Sequence, residues 1–481
     1  MTTAETSSLP LDQATVTIDG AAVKTTGTFS VINPATGDVF AQAPSVTPEQ
    51  LDEAFASAQR AFTTWQRDEP ARRAALTAAA DAIDASAASL ASLLTAEQGK
   101  PLNQSLEEIG IGTTWLRYFA DLKLAPEVVQ DDDQGYAVVN RVPLGVVAAI
   151  APWNFPLNLA IWKIAPALLA GNTMVLKPSP FTPLSTLMMG TILSDVLPKG
   201  VLNVVSGPDP LGAAMTSHAI PRKISFTGST PTGKKIAAAA ASDLKRLTLE
   251  LGGNDPAIVL ADADITATAQ GLYASSFYNA GQICLATKRV YAHESIHAEL
   301  VEAMADIVKS VRVDAGNVPG AQLGPLNNRP QFDRVSELVS DALAHGARAV
   351  TGGKPLDRPG FFYEPTILDH VTDGTRIVDE EQFGPALPIL SFRDEDDAVT
   401  RANASEFGLT ASVWSGDLDR ASDLAAQIDA GQISINSHGG GVQPNLPFGG
   451  HKLSGMGVEN GPWGYYSFTE TQVIHSPSRR R

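Results

Sequence analysis

The chain has 481 residues, 44% of them hydrophobic, and a formal net charge of −17. That length exceeds what one hydrophobic core can organise and predicts two or three domains. The acidic balance argues against a nucleic-acid partner, which needs clustered Lys and Arg, and no stretch nears the ~18 apolar residues of a membrane span.

Residues 1–12 are polar, with no basic segment leading into an apolar one, so no secretory signal is expected. A single cysteine asks for no oxidising compartment, and a cytoplasmic location is the default. Helical patterning then predicts helices over 47–60, 72–98 and 104–122. Residues 127–143 follow as two extended arms around an acidic tip, Asp131-Asp132-Asp133, the pattern of a protruding hairpin. From 145 onward, β-branched runs alternate with Ala-rich stretches. Strands are predicted at 145–150, 173–177, 202–205, 223–227 and 246–251, with helices at 158–170, 183–195, 211–217 and 234–242 between them. This order describes a doubly wound α/β sheet, whose ligands sit at the carboxyl ends of the strands.

Beyond Gly252-Gly253 a second α/β series begins. Strands are predicted at 256–259, 289–293, 364–368, 386–392, 410–414 and 432–436, and helices at 295–311 and 331–345. Residues 466–474 read as a late alternating strand with no evident partner of its own. Unpaired strands invite pairing with another chain, so this segment and the hairpin both point to an oligomer. The basic run Arg479-Arg480-Arg481 reads as a solvated tail.

Cys284 is the only cysteine, within Gly281-Gln282-Ile283-Cys284. A lone cysteine is either a small buried apolar residue or a soft nucleophile. Upstream, Glu250 ends a strand at the seam between the two series, as an exposed strand-end carboxylate or as a general base. Earlier still, Asn154 in Pro152-Trp153-Asn154-Phe155-Pro156 is either a turn residue or an oxyanion donor. No G-x-G-x-x-G follows any strand. Instead, Phe226-Thr227-Gly228-Ser229 ends a strand in a glycine turn that opens a helix. Such a turn suits a phosphate, or it is an ordinary capped βα turn. Lys177-Pro178-Ser179-Pro180 sets a lysine at the same sheet edge, as a ribose or phosphate ligand or as a surface charge.

In order, the Asn154 segment, Lys177-Pro178-Ser179, Phe226-Thr227-Gly228-Ser229, Glu250-Leu251-Gly252-Gly253 and Gly281-Gln282-Ile283-Cys284 resemble the motif series of the NAD(P)-dependent aldehyde dehydrogenase superfamily. Glu381-Gln382-Phe383-Gly384-Pro385 and Pro447-Phe448-Gly449-Gly450 extend the match, which runs from about 33 to 474. The resemblance implies an α/β fold: a Rossmann-like doubly wound cofactor domain, an α/β catalytic domain and a small β oligomerisation arm. By position these are 1–126 with 144–252, then 253–436, then 127–143 with 464–477, while 437–463 returns to the active-site rim. A homodimer or homotetramer is expected.

The resemblance also assigns roles. Cys284 attacks the aldehyde carbon, Asn154 and the Cys284 N–H hold the oxyanion, and Glu250 activates the water that hydrolyses the thioester. Lys163 and Glu459 match positions of a proton relay around that base. NAD or NADP is expected against Trp153, Lys177, Ser179, Pro180, Gly228, Ser229, Leu251, Gly252, Glu381 and Phe383. The aldehyde side draws on Phe155, Leu159, Trp162, Tyr278, Ile283, Leu285, His438 and Phe448, and no metal is expected. Mostly apolar, these residues suit a neutral aliphatic or aromatic aldehyde; the alternatives are an aminoaldehyde in a partial cage of Phe155, Trp162 and Tyr278, or a coenzyme-A-acylating reaction. Three departures stand out. Pro180 occupies a position where many NAD-preferring relatives carry a glutamate, which leaves dual cofactor use open with NAD slightly favoured. Segment 206–212 is about one residue shorter than in many members, and His438-Gly439-Gly440-Gly441 replaces bulkier tunnel-mouth residues.

Overall fold

The five strands predicted between 145 and 251 form the centre of an eight-stranded sheet in a computed structural model, which describes residues 9–478. They run parallel, from Leu202–Val204 through Thr173–Lys177, Val146–Ile150 and Lys223–Thr227 to Arg246–Glu250. Chain order therefore reverses between Val146–Ile150 and Lys223–Thr227, and a crevice opens there beyond the carboxyl ends of the strands. Every residue of Val146–Ile150, Thr173–Lys177 and Lys223–Thr227 is buried, because crossover helices cover both faces of a parallel sheet. Two short strands, Val16–Ile18 and Ala21–Val23, extend one edge antiparallel, and Gly455–Met456 closes the other.

The helix after Val146–Ile150 spans Pro156–Leu169 and is buried along its whole length. The predicted helix 72–98 is in fact two, Glu69–Ala85 and Ala87–Gln98, broken at Ser86 where the backbone leaves helical geometry (φ −104°, ψ 6°). Periodicity continues across such a break, so sequence patterning alone does not reveal it.

The second series forms a seven-stranded sheet. Its order is Arg348–Thr351, Thr366–Asp369, Ala386–Phe392, Thr287–His293, Asp255–Val259, Thr410–Trp414 and Gln432–Ile435, antiparallel only at its first pair. Helices Ile265–Phe277, Glu395–Asn403 and Leu418–Ala425 were not predicted. Their starts are nevertheless marked in the sequence, since Asp264, Asp394 and Asp417 each accept first-turn N–H groups.

The strand predicted at 466–474 does have a partner. Thr469–Ser476 pairs antiparallel with Gly135–Pro143, which also pairs with Glu127–Asp132, giving a three-stranded sheet. Sequence separation hid the pairing. The run Arg479-Arg480-Arg481 lies outside the described residues. Among the described residues no helix is long and apolar enough to cross a membrane.

Candidate active site

Two loops converge at the crevice, and each is fixed by buried polar contacts. The first follows Val146–Ile150 and carries Asn154, whose Nδ2 donates to the Gln282 carbonyl at 3.0 Å. The Asn154 carbonyl accepts from Lys100 Nζ at 2.7 Å and from Asn279 Nδ2 at 3.1 Å. Lys100 is ion-paired to Glu108, and both side chains are fully buried. Glu108 Oε1 in turn accepts the N–H groups of Leu157 (3.0 Å) and Asn158 (3.2 Å), at the start of helix Pro156–Leu169. A carboxylate there also complements the helix dipole. Neither Lys100 nor Glu108 was anticipated: lysine is rarely buried, and nothing local in the sequence marks this one.

The second loop carries Cys284. Asn279, Ala280 and Gly281 take left-handed φ values of 50°, 53° and 71° in succession. Such a run is costly for non-glycine residues and persists only when its surroundings over-determine it. Here Gln282 Nε2 donates to the Asn279 carbonyl (2.9 Å), and Gln282 Oε1 accepts from the Asn327 N–H (2.8 Å). Lys288 Nζ donates to the carbonyls of Ile283 and Cys284. Gly281 has no substitute, because a Cβ there would lie 2.4 Å from the Gly384 carbonyl oxygen.

Cys284 opens onto a cavity of about 1180 Å³ that Asn154 also lines. Close packing pushes its thiol up to about 12, while the Lys288 ammonium pulls the other way and the Glu250 carboxylate adds to the rise. All ten residues expected at the cofactor line the same cavity: Trp153, Lys177, Ser179, Pro180, Gly228, Ser229, Leu251, Gly252, Glu381 and Phe383. Burial pushes Lys177 down to about 8, partly offset by Asp209. Ser229 precedes helix Thr230–Ala240 without capping it, so first-turn N–H groups are free for an anion. Glu381 accepts the Gly253 N–H at 3.1 Å and sits 3.5 Å from Lys288 Nζ. A Cβ at Gly252 would fall 2.3 Å from Glu381 Oε2 and displace that carboxylate. A lysine, an uncapped helix start and a held carboxylate on one elongated cavity fit a dinucleotide.

Glu250, Lys163 and Glu459 lie behind this cavity, in the interior. Lys163 Nζ donates to Glu459 Oε1 (2.8 Å) and to Thr227 Oγ1 (2.7 Å). Both oxygens of Glu250 are buried without a hydrogen-bond partner. Burial raises its carboxyl well above the ordinary range; the Glu459 charge adds to the rise and the Lys163 ammonium opposes it.

None of the eight residues expected on the aldehyde side lines the large cavity. Phe155 and Tyr278 stack in parallel at 6.3 Å, and Tyr278 Oη donates to Glu107 (2.7 Å). Trp162 stacks on Trp115 (5.3 Å) and meets the edge of Phe448 (5.4 Å). Leu159 is buried, Ile283 half-buried, and Leu285 packs on the first core. His438 differs from expectation. Its side chain is fully buried, with ring nitrogens 2.9 Å from Ser412 Oγ and 3.0 Å from the Leu285 carbonyl, so it anchors the Cys284 loop instead of lining a tunnel. Burial pushes its imidazole down to about 3. The flanking glycines gave no sign that the ring turns inward.

The family model described as aldehyde dehydrogenase family matches residues 22–474. Aldehyde dehydrogenase LUC3 of Fusarium sp. is 40% identical over 93% of the chain and 95% of its own length. Human retinaldehyde dehydrogenase 3 is 38% identical over 93% of the chain and 89% of its own. Among solved structures, the NAD+ complex of an aldehyde dehydrogenase from Bacillus cereus superposes with a TM-score of 0.94 at 34% identity, covering 96% of each chain.

Proposed function

The chain belongs to the aldehyde dehydrogenase family, and from that premise we propose that it oxidises a neutral aliphatic or aromatic aldehyde to the carboxylic acid with NAD(P)+, through a cysteine thiohemiacetal and thioester. The observation that carries this reading is that Cys284 and Asn154 face one dinucleotide-sized cavity, with the unpartnered Glu250 carboxyl behind them.

Cys284 first gives up its proton to water in the open cavity; Sγ, as the thiolate, adds to the carbonyl carbon, and the oxyanion that develops accepts hydrogen bonds from Asn154 Nδ2 and the Cys284 N–H. When bound, the nicotinamide supplies a positive charge and a hydride acceptor. Loss of hydride leaves the acyl group on sulfur as a thioester. Glu250 takes a proton from water as the water oxygen attacks that thioester; the C–S bond breaks and the thiolate returns. The proton on Glu250 then passes to the Lys163–Glu459 pair.

NAD is the first choice of cofactor, in line with the Bacillus cereus complex. Pro180 on the cavity wall leaves no carboxylate at that position to repel a 2′-phosphate, so NADP is accepted as well. A neutral substrate is favoured over an aminoaldehyde because Lys100 Nζ already lies 3.8 Å over the Phe155 ring and would repel a second cation. Retention of Glu250 favours hydrolysis over coenzyme A acylation. Within the subunit, 1–126 and 144–252 bind the cofactor, 253–436 carry the nucleophile, 127–143 and 464–477 oligomerise, and 437–463 form the rim. The outer strands of the small sheet expose Val128, Val129, Val473 and Ile474, which supports burial against a second copy as a homodimer or homotetramer. The reaction belongs in the cytoplasm, where a lone thiol stays reduced.

A panel of neutral, amino-substituted and carboxylate-bearing aldehydes, run with each cofactor and with added coenzyme A, tests this. The highest kcat/KM is expected for neutral members, without coenzyme A stimulation. An amino-substituted aldehyde at the head of the panel would reject the substrate assignment.

A further inference from the structure

A column of polar side chains crosses one buried face of the first sheet. Lys223, Ser225 and Thr227 alternate along one strand, and Thr248 and Glu250 along its neighbour. The parallel register pairs Ser225 with Thr248 and Thr227 with Glu250, so all five project to the same side. All five are buried, where strands covered on both faces are ordinarily apolar. Lys223 Nζ donates to Thr248 Oγ1 at 2.6 Å, its only side-chain hydrogen bond among the described residues, and lies 4.7 Å from the Phe468 ring. At the other end Lys163 reaches Thr227 and Glu459. Among the described residues Ser225 Oγ, both Glu250 oxygens and Glu459 Oε2 have no hydrogen-bond partner.

The column and the residues that cover it thus hold two carboxylates, Glu250 and Glu459, and two ammoniums, Lys163 and Lys223. Only Lys163 and Glu459 are in ion-pair contact. The charges that act on Lys223 are those same two groups. Its strand neighbour Arg222 and the cross-strand Arg246 are exposed, with guanidinium nitrogens 3.8 and 3.6 Å from Glu470 on the last strand. Two carboxylates withdrawn from water do not both ionise unless cations share the site. Lys163 is paired with Glu459 and also acts on Glu250, so one ammonium serves two carboxylates, and Lys223 is the second cation on this face.

We propose that Lys223 is a positioning residue that acts, from the far end of the strands, as the second counter-cation of the Glu250–Glu459 pair and so sets the pH at which thioester hydrolysis begins. This rests on the assignment of Glu250 as base. Burial pushes Lys223 down to about 7, opposed by the Glu459 charge, and burial pushes Glu250 up; on one sealed face an ammonium at Lys223 therefore favours ionised carboxylates.

The test is Lys223→Met beside Lys223→Arg, with the first-turnover burst of NADH and the steady-state rate followed across pH. In Lys223→Met the burst is expected to persist. The acidic limb of the steady-state rate should move up by about one pH unit, a roughly tenfold slowing on the limb with little loss on the alkaline plateau. Lys223→Arg should return the limb towards the parent's. An unmoved limb, or an equal loss at every pH in both variants, overturns the proposal. If Lys223→Met does not fold, Thr248→Val, which removes the ammonium's hydrogen-bond partner, should move the limb in the same direction. Glu250→Gln separates the two claims: if hydrolysis survives it, the base is misassigned whatever Lys223 does.

Discussion

The strand pair Lys223–Thr227 and Arg246–Glu250 contributes to two very different regions. Beyond their carboxyl ends, Gly228, Ser229, Leu251 and Gly252 line the large cavity. Along one buried face the same strands carry Lys223, Ser225, Thr227, Thr248 and Glu250. The open end is built from groups that water or a ligand satisfies easily. The sealed face holds charges whose removal from water costs several kcal/mol per ion and is only partly repaid by pairing. Stability alone does not maintain such a cluster, and that difference separates the cavity wall from the groups proposed above to carry the chemistry.

The largest expected effect confines itself to the chemistry. Cys284→Ala should abolish oxidation while NAD+ still binds, read by fluorescence titration beside turnover; residual turnover near the parent rate would assign the nucleophile elsewhere. Next, Asn154→Ala should lower kcat by about 100- to 1000-fold, the usual effect of losing one oxyanion donor. A change confined to KM would mean that Asn154 only shapes the cavity. Gly281→Ala sharpens the structural side of the comparison. With φ at +71° and a Cβ 2.4 Å from the Gly384 carbonyl, it should destabilise by about 2 kcal/mol or more in denaturant unfolding. An unshifted midpoint would show that the turn before Cys284 relaxes freely.

The smallest effect is one of pH. With the thiol pushed up to about 12 in the ligand-free protein, the thiolate fraction stays low at neutrality and rises about tenfold per pH unit. Alkylation of Cys284 by iodoacetamide should therefore accelerate steadily into the alkaline range. A plateau at neutral pH would place a resident thiolate on the cofactor-free enzyme.

The five parallel strands between 145 and 251 were legible because burial on both faces writes itself as short β-branched runs, and the wall of the large cavity because its turns are local. Trp153, Lys177, Gly228, Ser229 and Gly252 each lie within a residue or two of a strand end, or of the loop that follows one, in a motif that survives without tertiary knowledge. What escaped was long-range. The break at Ser86 interrupts no pattern, and the partner of Thr469–Ser476 lies far back in the chain at Gly135–Pro143. The inward turn of His438 depends on Ser412 and Leu285, neither of them near it in sequence.

By itself, then, the order of residues determined the doubly wound topology and the turns that line the large cavity, since each is encoded by backbone preference and short-range spacing. Only the folded chain decided which charges are shut away together. Lys100, Lys223 and Lys288 look like any surface lysines in the sequence, and only the family resemblance singled out Lys163. Solvation, which makes one lysine inert and another a counter-ion, depends on everything packed around it.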